Sequence, residues 1–397
     1  MKAVTWQGRR RVSVDEVRDP RIEAPTDAVV RVTSTAICGS DLHLYEVLGP
    51  YMSEGDVLGH EPIGIVEEVG SQVSELTPGD RVVIPFQISC GGCYMCAAGL
   101  PTQCETTQVR RYGSGAALFG YSKLYGQVPG GQAEFLRVPQ ADATHITVPH
   151  GPGDERFLYL SDVLPTAWQA VEYAAVPEGG SLTVLGLGPI GDMACRIALH
   201  RGLRVIGIDR VPERLARVAG CGAEVIDRSA VDGSVGELVR TMTDGRGTDA
   251  VIDAVGMEAH GSVLAELAQR SASWLPETLG RKLSDTISVD RLAVLNDAID
   301  IVRRGGTISV SGVYGGMLDP LPMRILFDKQ IQLRMGQANV TRWARDILPL
   351  LGDDDPLGVE SFATHRLPLD AAPEAYRMFQ EKSDGAVKIV LDPTAVS

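Results

Sequence analysis

Ser181-Leu182-Thr183-Val184-Leu185-Gly186-Leu187-Gly188-Pro189-Ile190-Gly191 is an apolar run of strand length that ends in a G-x-G-x-x-G turn. A helical pattern, Asp192 to His200, follows directly, and a second apolar run, Arg204 to Ile208, ends at Asp209. Each part of this strand–turn–helix–strand unit has a physical task. Gly186 makes the tight turn, Gly188 lets backbone approach a pyrophosphate, and Gly191 lets helix and strand pack closely. Pro189 and Ile190 open the helix, whose free amides and partial positive charge favour phosphate. Asp209 falls 23 residues after Gly186, where a carboxylate binds ribose hydroxyls and repels the extra phosphate of NADP. NAD is therefore expected, although Arg210 is of the type that accommodates that phosphate. A glycine-rich turn without a ligand is the competing reading, and the surrounding strands and helix weigh against it.

Working outward, Ala250 to Ile252 and Thr307 to Val310 read as further short strands separated by helical stretches. Alternation of this kind predicts a doubly wound parallel sheet covered on both faces, a Rossmann-type domain. Before about Pro165 the pattern differs. Ala28 to Thr33, Gly64 to Val69 and Arg81 to Pro85 are short β-rich runs broken by turns, so a compact β domain is expected there. The last 60 residues return to mixed short elements and are expected to rejoin the first domain. The boundaries so read are 1–163, 164–336 with an insertion of about 257–290, and 337–397. A chain of 397 residues with 44% hydrophobic and 22% charged residues is globular in composition. A net charge of −14 argues against nucleic acid or an anionic membrane as partner. No apolar stretch is long enough to span a bilayer, and no secretory leader is read at Met1 to Val17, so cytoplasm is expected.

Seven cysteines are present, and Cys90, Cys93, Cys96 and Cys104 crowd into C-x2-C-x2-C-x7-C. Four thiolates so spaced can wrap a tetrahedral ion, and all-cysteine sites are typically structural zinc. An iron–sulfur cluster is the alternative, but the ferredoxin pattern continues C-x3-C-P, and here Glu105 follows the fourth cysteine. A second group is scattered: Cys38 in Cys38-Gly39-Ser40-Asp41-Leu42-His43, and His60 in Gly59-His60-Glu61-Pro62. Alone, such residues are more often core than ligands.

Taken together, Gly59-His60-Glu61-x2-Gly64-x5-Gly70, the upstream Cys38-x-Ser40-x-x-His43, the four-cysteine lobe and the downstream G-x-G-x-x-G resemble the zinc-dependent medium-chain alcohol dehydrogenases, in the same order and over essentially the whole chain. The resemblance implies a GroES-like β-rich catalytic domain beside the Rossmann domain, and two zinc ions per chain. It implies that Cys38 and His60 bind the catalytic ion. The usual third ligand, a cysteine, is missing, and Asp162 stands in its place, as in the formaldehyde dehydrogenase branch, including the glutathione-independent type. Glu61 is the alternative ligand, and a plain turn cap is the competing role for Asp162. The family implies that Ser40 takes the proton and His43 passes it on, that Asp41 orients His60 from behind, that Thr166 packs behind nicotinamide, and that Phe86 narrows the substrate pocket or is plain core.

The expected reaction is hydride transfer between an alcohol or aldehyde hydrate and NAD. The alternatives are an aldehyde dismutase that retains its NAD under the 257–290 insertion, and a non-catalytic, zinc-stabilised NAD(H) sensor. Zinc-free quinone reductases lack the ligands found here. A homodimer or homotetramer is expected: the resemblance implies that the last strands of the coenzyme sheet, near Thr307 to Tyr314, extend across a two-fold axis, and an exposed sheet edge invites such pairing.

Overall fold

The computed structural model describes residues 1–256, 293–314 and 321–395, so the expected insertion at about 257–290 lies outside the described residues. Two compact units divide the chain: Met1–Pro165 with Ala338–Ser397, and Thr166–Gln337. The sequence reading drew these divisions at 163/164 and 336/337.

The strands follow in chain order. β1 (Lys2–Trp6) and β2 (Val12–Glu16) pair antiparallel; β3 (Ala28–Ile37), β4 (Pro62–Val69), β5 (Arg81–Val83), β6 (Phe135–Val138) and β7 (Ile146–Thr147) come next. The second unit holds β8 (Ser181–Leu185), β9 (Arg204–Asp209), β10 (Glu224–Asp227), β11 (Thr248–Asp253), β12 (Val302–Val310) and β13 (Gln332–Met335). β14 (His365–Pro368) and β15 (Ile389–Asp392) return to the first unit.

In the first unit β3 is the organising strand. Its sequence, Ala-Val-Val-Arg-Val-Thr-Ser-Thr-Ala-Ile, is rich in β-branched residues and largely buried, as expected of a strand covered on both faces. It pairs antiparallel with β4, β6 and β15. Helix Ala372–Glu381 packs against β2, β14 and β15, burying Ala372, Ala375, Tyr376 and Phe379, the i, i+3, i+4, i+7 stripe of one helix face. Ile37, Leu44, Leu58, Tyr376 and Ile389 share one apolar cluster. The end of β3, the start of β15 and the C-terminal helix are thereby fixed around Cys38.

The second unit is a six-stranded sheet of order β10-β9-β8-β11-β12-β13, and every pair is parallel. This is the 3-2-1-4-5-6 order of a dinucleotide-binding sheet. The turn after β8 lies at its switch point. One expectation is corrected here. Strand β12 (Val302–Val310) is not the sheet edge, because it has a partner on each side; among the described residues the edge is β13. Gln332-Leu333-Arg334-Met335 is short and polar at alternate positions, so its apolar content gave no strand signal.

The joint between β8 and helix Pro189–His200 is closed by Gly191. A Cβ there would stand 1.8 Å from the Gly186 carbonyl oxygen, a backbone atom that cannot step aside. Gly191→Ala is therefore expected to lower stability by about 1–3 kcal/mol, the usual range for overpacking. Denaturant unfolding of the variant beside the wild type reads this directly, and an unchanged midpoint would mean that the joint opens at no cost.

Candidate active site

Cys38, at the end of β3, caps helix Gly39–Glu46, and Asp41 in the first turn accepts the Cys38 amide at 3.0 Å. The Ala36 amide donates to the Glu61 carbonyl at 3.2 Å, which lays the His60–Glu61 segment against the end of β3. The Phe86 amide donates to the Ser161 carbonyl at 3.1 Å and draws in the segment that carries Asp162. Two backbone contacts and one from backbone to the Asp41 carboxylate thus collect side chains from positions 38, 60 and 162.

The result is a buried cluster in which Cys38, His60, Glu61 and Asp162 each offer a ligand atom, all within 4.8 Å of one another. Cys38 Sγ stands 3.2 Å from Asp162 Oδ2, and His60 Nε2 stands 3.3 Å from the same oxygen. The other ring nitrogen, Nδ1, lies 3.2 Å from Asp41 Oδ1. Ser40 Oγ is 3.2 Å from His60 Nε2. His43 sits half-buried one turn further along the same helix. The Phe86 ring meets the His60 ring edge to face with centroids 6.3 Å apart, so it walls the cluster and is also core.

Glu61 is otherwise engaged. Lys388 Nζ reaches both of its oxygens, at 2.7 and 2.5 Å, and also donates to the Ile37 carbonyl; both side chains are fully buried. The sequence reading missed Lys388. Its signal was a single lysine inside the apolar run Ala386 to Leu391, a place where an unpaired ammonium is not tolerated.

The electrostatics of the cluster call for a cation. Burial, then the charges of Asp162 and Glu61, push the Cys38 thiol up to about 12. Burial opposes a charged His60, but Asp41 and then Asp162 outweigh it and hold the imidazole well above its usual range. Burial pushes the Glu61 carboxyl up while Lys388 pulls it back. Burial likewise opposes the Lys388 ammonium, and Glu61 keeps it charged. A divalent ion among these groups would reverse the penalty on the thiolate. The donor set of sulfur, nitrogen and carboxylate oxygen suits zinc.

The four-cysteine lobe forms a second group, again with all ligand atoms within 4.8 Å. Cys104 Sγ accepts the Cys90 amide at 3.3 Å, Cys93 Sγ accepts the Glu105 amide at 3.4 Å, and Cys90 Sγ accepts the Thr106 hydroxyl at 3.2 Å. Burial alone would raise the Cys104 thiol, but donation from Thr107 and from the backbone brings it down to about 6. Sulfurs ringed by donors and free of disulfides fit a tetrahedral thiolate site.

In the second unit, Gly188 caps helix Pro189–His200 without a side chain, so no side chain occupies the first helical amides. A Cβ on Gly188 would meet no backbone within 4 Å among the described residues, only the Arg214 guanidinium, with Nη1 at 3.5 Å, so a cation stands over the face of the turn where a pyrophosphate would lie. Asp209 Oδ2 accepts the Leu187 amide at 2.6 Å, which holds the carboxylate beside the turn. Arg210 is exposed. The guanidinium nearer to Asp209 belongs to Arg214, with Nη1 4.0 Å from Oδ2. The sequence reading passed over Arg214, which lies one helical turn further on. Thr166, half-buried, is the first residue of this unit.

A profile for the alcohol dehydrogenase GroES-like domain matches residues 24–149, and one for zinc-binding dehydrogenases matches residues 189–270. The zinc-type alcohol dehydrogenase-like protein AdhB of Bacillus subtilis is 41% identical over 99% of this chain and 100% of its own length. The formaldehyde dismutase of Pseudomonas putida is 31% identical over 99% of this chain and 97% of its own. Among solved structures, alcohol dehydrogenase TADH from Thermus sp. ATN1 is similar at a TM-score of 0.83 and 35% identity, covering 99% of each chain.

Removing one member of a buried ion pair leaves the other charged and unsolvated, typically at about 3–5 kcal/mol. Lys388→Met is expected to destabilise the protein by about that much, and adding Glu61→Gln is expected to recover a large part of the loss. A double-mutant cycle by denaturant unfolding checks this; additive losses would show that the pair is not coupled.

Proposed function

The chain belongs to the zinc-dependent alcohol dehydrogenase family, and from that premise we propose that it transfers hydride between an alcohol or aldehyde hydrate and NAD, with catalytic zinc held by Cys38, His60 and Asp162. The observation that carries this reading is the convergence of those three side chains in one buried pocket while Lys388 occupies Glu61. The cysteines 90, 93, 96 and 104 take the structural ion. When bound, zinc supplies the Lewis acidity that lets a hydroxyl lose its proton near neutral pH, and NAD supplies the hydride acceptor.

The remaining work falls to the chain itself. Asp41 faces the Nδ1 side of His60 and leaves Nε2 turned toward Asp162 and Ser40. Ser40 Oγ, at the edge of the cluster, receives the substrate proton. His43, one turn further along the same helix, carries it onward. Phe86 shields the pocket from water and limits the width of the substrate. Asp209 holds the adenosine ribose and disfavours a 2′-phosphate. Small aldehydes that hydrate readily suit this arrangement, because the hydrate offers both a hydroxyl and a transferable hydride.

A second reading is aldehyde dismutation on a retained NAD, favoured by the similarity to a protein named formaldehyde dismutase. We also infer a homodimer or homotetramer built on the edge strand β13, with Met335, Met323 and Phe327 exposed on or near it. Cytoplasm is the proposed compartment, in keeping with free cysteines throughout.

Two measurements test the reading. Wild-type protein is expected to hold two zinc ions per chain by metal analysis and to form NADH from formaldehyde or a primary alcohol. Cys38→Ser and Asp162→Ala should each lose one zinc and the activity, while Cys93→Ser should chiefly lose stability. Full zinc and normal turnover in Asp162→Ala would remove Asp162 from the ligand set. Equimolar acid and alcohol formed from aldehyde without added NAD would select dismutation. For cofactor choice, kcat/KM should favour NAD clearly, and Asp209→Gly should narrow the gap; a wild type that prefers NADP contradicts the role of Asp209.

A further inference from the structure

We propose that Gln132 and Tyr376 are positioning residues for His60: the hydrogen-bonded file Tyr376–Gln132–Asp41 fixes the ring so that Nε2 stays bare toward the metal position. The inference rests on the reading of Cys38, His60 and Asp162 as a zinc site.

Three side chains form the file, from the C-terminal helix, from the loop before β6 and from the helix after Cys38, and all three are fully buried. Tyr376 Oη donates to Gln132 Oε1 at 2.8 Å. Gln132 Nε2 donates to Asp41 Oδ2 at 3.2 Å and to the Ala36 carbonyl at 3.2 Å. The direction of the amide is settled by its neighbours. Asp41 and the Ala36 carbonyl only accept, so the end facing them must be the NH2 group. The opposite end is then a carbonyl, and Tyr376 must donate to it. Both N–H groups and the oxygen of Gln132 are thereby used.

The consequence falls on Asp41. Its Oδ2 takes two donors, the Gln132 amide and the Cys38 backbone amide. Oδ1 is left facing His60 Nδ1 at 3.2 Å, an ion-pair contact and not an aligned hydrogen bond, and neither atom makes a hydrogen bond to any other group among the described residues. A carboxylate pinned in this way keeps the proton of a neutral imidazole on Nδ1, and partners behind a ligating histidine set both its tautomer and its orientation. A second, independent observation concerns shape. Gly59, which immediately precedes His60, has φ of +91°, and a Cβ there would stand 2.3 Å from Gln132 Cγ. The backbone N–H of Gln132 also donates to the Leu58 carbonyl at 3.0 Å. The backbone that carries His60 is thus seated on the stem of Gln132, while the head of the same side chain orients the partner of the His60 ring.

Zinc release separates this role from a merely structural one. Zinc-loaded wild type, Gln132→Met, Gln132→Glu and Tyr376→Phe are mixed with the chromophoric chelator 4-(2-pyridylazo)resorcinol well below their melting temperatures, and the two zinc ions are followed as separate phases. Cys38→Ser identifies which phase belongs to which site. Changes behind a ligand typically cost about 10–100-fold in metal affinity. Gln132→Met, which keeps the stem and removes the amide, is expected to release the Cys38-site zinc about 10-fold faster, and the four-cysteine zinc at the wild-type rate. Gln132→Glu fills the same volume but sets an acceptor against Asp41, so it should release that zinc at least as fast as Gln132→Met. Tyr376→Phe, which deletes one hydroxyl and is the variant surest to fold, should give about a 3-fold effect in the same phase, below the range for a direct partner. Wild-type release from the Cys38 site in Tyr376→Phe and in whichever Gln132 variant folds would overturn the proposal, whatever happens to the melting temperature. A wild type with a single zinc, unchanged by Cys38→Ser, would instead overturn the metal reading beneath it.

Discussion

Glu61 and Asp162 stand in one pocket with Cys38 and His60, all nearly sealed from water. Carboxylates in such a place must find positive charge or lose their own. Much of the first unit is arranged around that requirement. Lys388 comes in from the C-terminal run and neutralises Glu61. Asp162 faces Cys38 and His60, and a divalent ion among these three groups would supply the positive charge that a thiolate and a carboxylate so deeply buried require. The same constraint explains why the C-terminal segment returns to the first unit: without β15 and its flanking lysine, Glu61 would be a buried anion with no counter-charge.

The two units divide the chemistry by the kind of surface each can make. A parallel sheet with a glycine-rich turn presents backbone amides and an open face, which suits phosphate. An antiparallel β domain can bring residues distant in sequence together at the ends of its strands, which suits a metal site. Gly191 and Gly188 show how narrow the division is within one motif. At the first, a Cβ would collide with backbone; at the second it would only touch the Arg214 guanidinium, on the face where a cofactor is expected. One glycine serves the fold and the other serves the ligand.

Much of this was legible in the sequence. The strand Ser181 to Leu185 was read at its observed bounds, because an apolar run stopped by glycine admits few alternatives. Cys38, His60 and Asp162 were named through family resemblance, since nothing in their spacing says that they meet. What stayed hidden was of two kinds. Lys388, Gln132 and Tyr376 act through partners 91 to 327 positions away, and such contacts leave no local pattern. The edge strand Gln332 to Met335 was missed because its exposed face is polar enough to read as loop, and the sheet edge was consequently placed one strand too early.

The most direct test of the account is anomalous diffraction at the zinc edge from crystals of the zinc-loaded protein. The account predicts two peaks per chain. One lies among Cys90, Cys93, Cys96 and Cys104. The other is bound by Cys38 Sγ, His60 Nε2 and an Asp162 oxygen, with Glu61 still on Lys388. A peak bound by Glu61 with Asp162 turned away, or no peak beside Cys38, would contradict it.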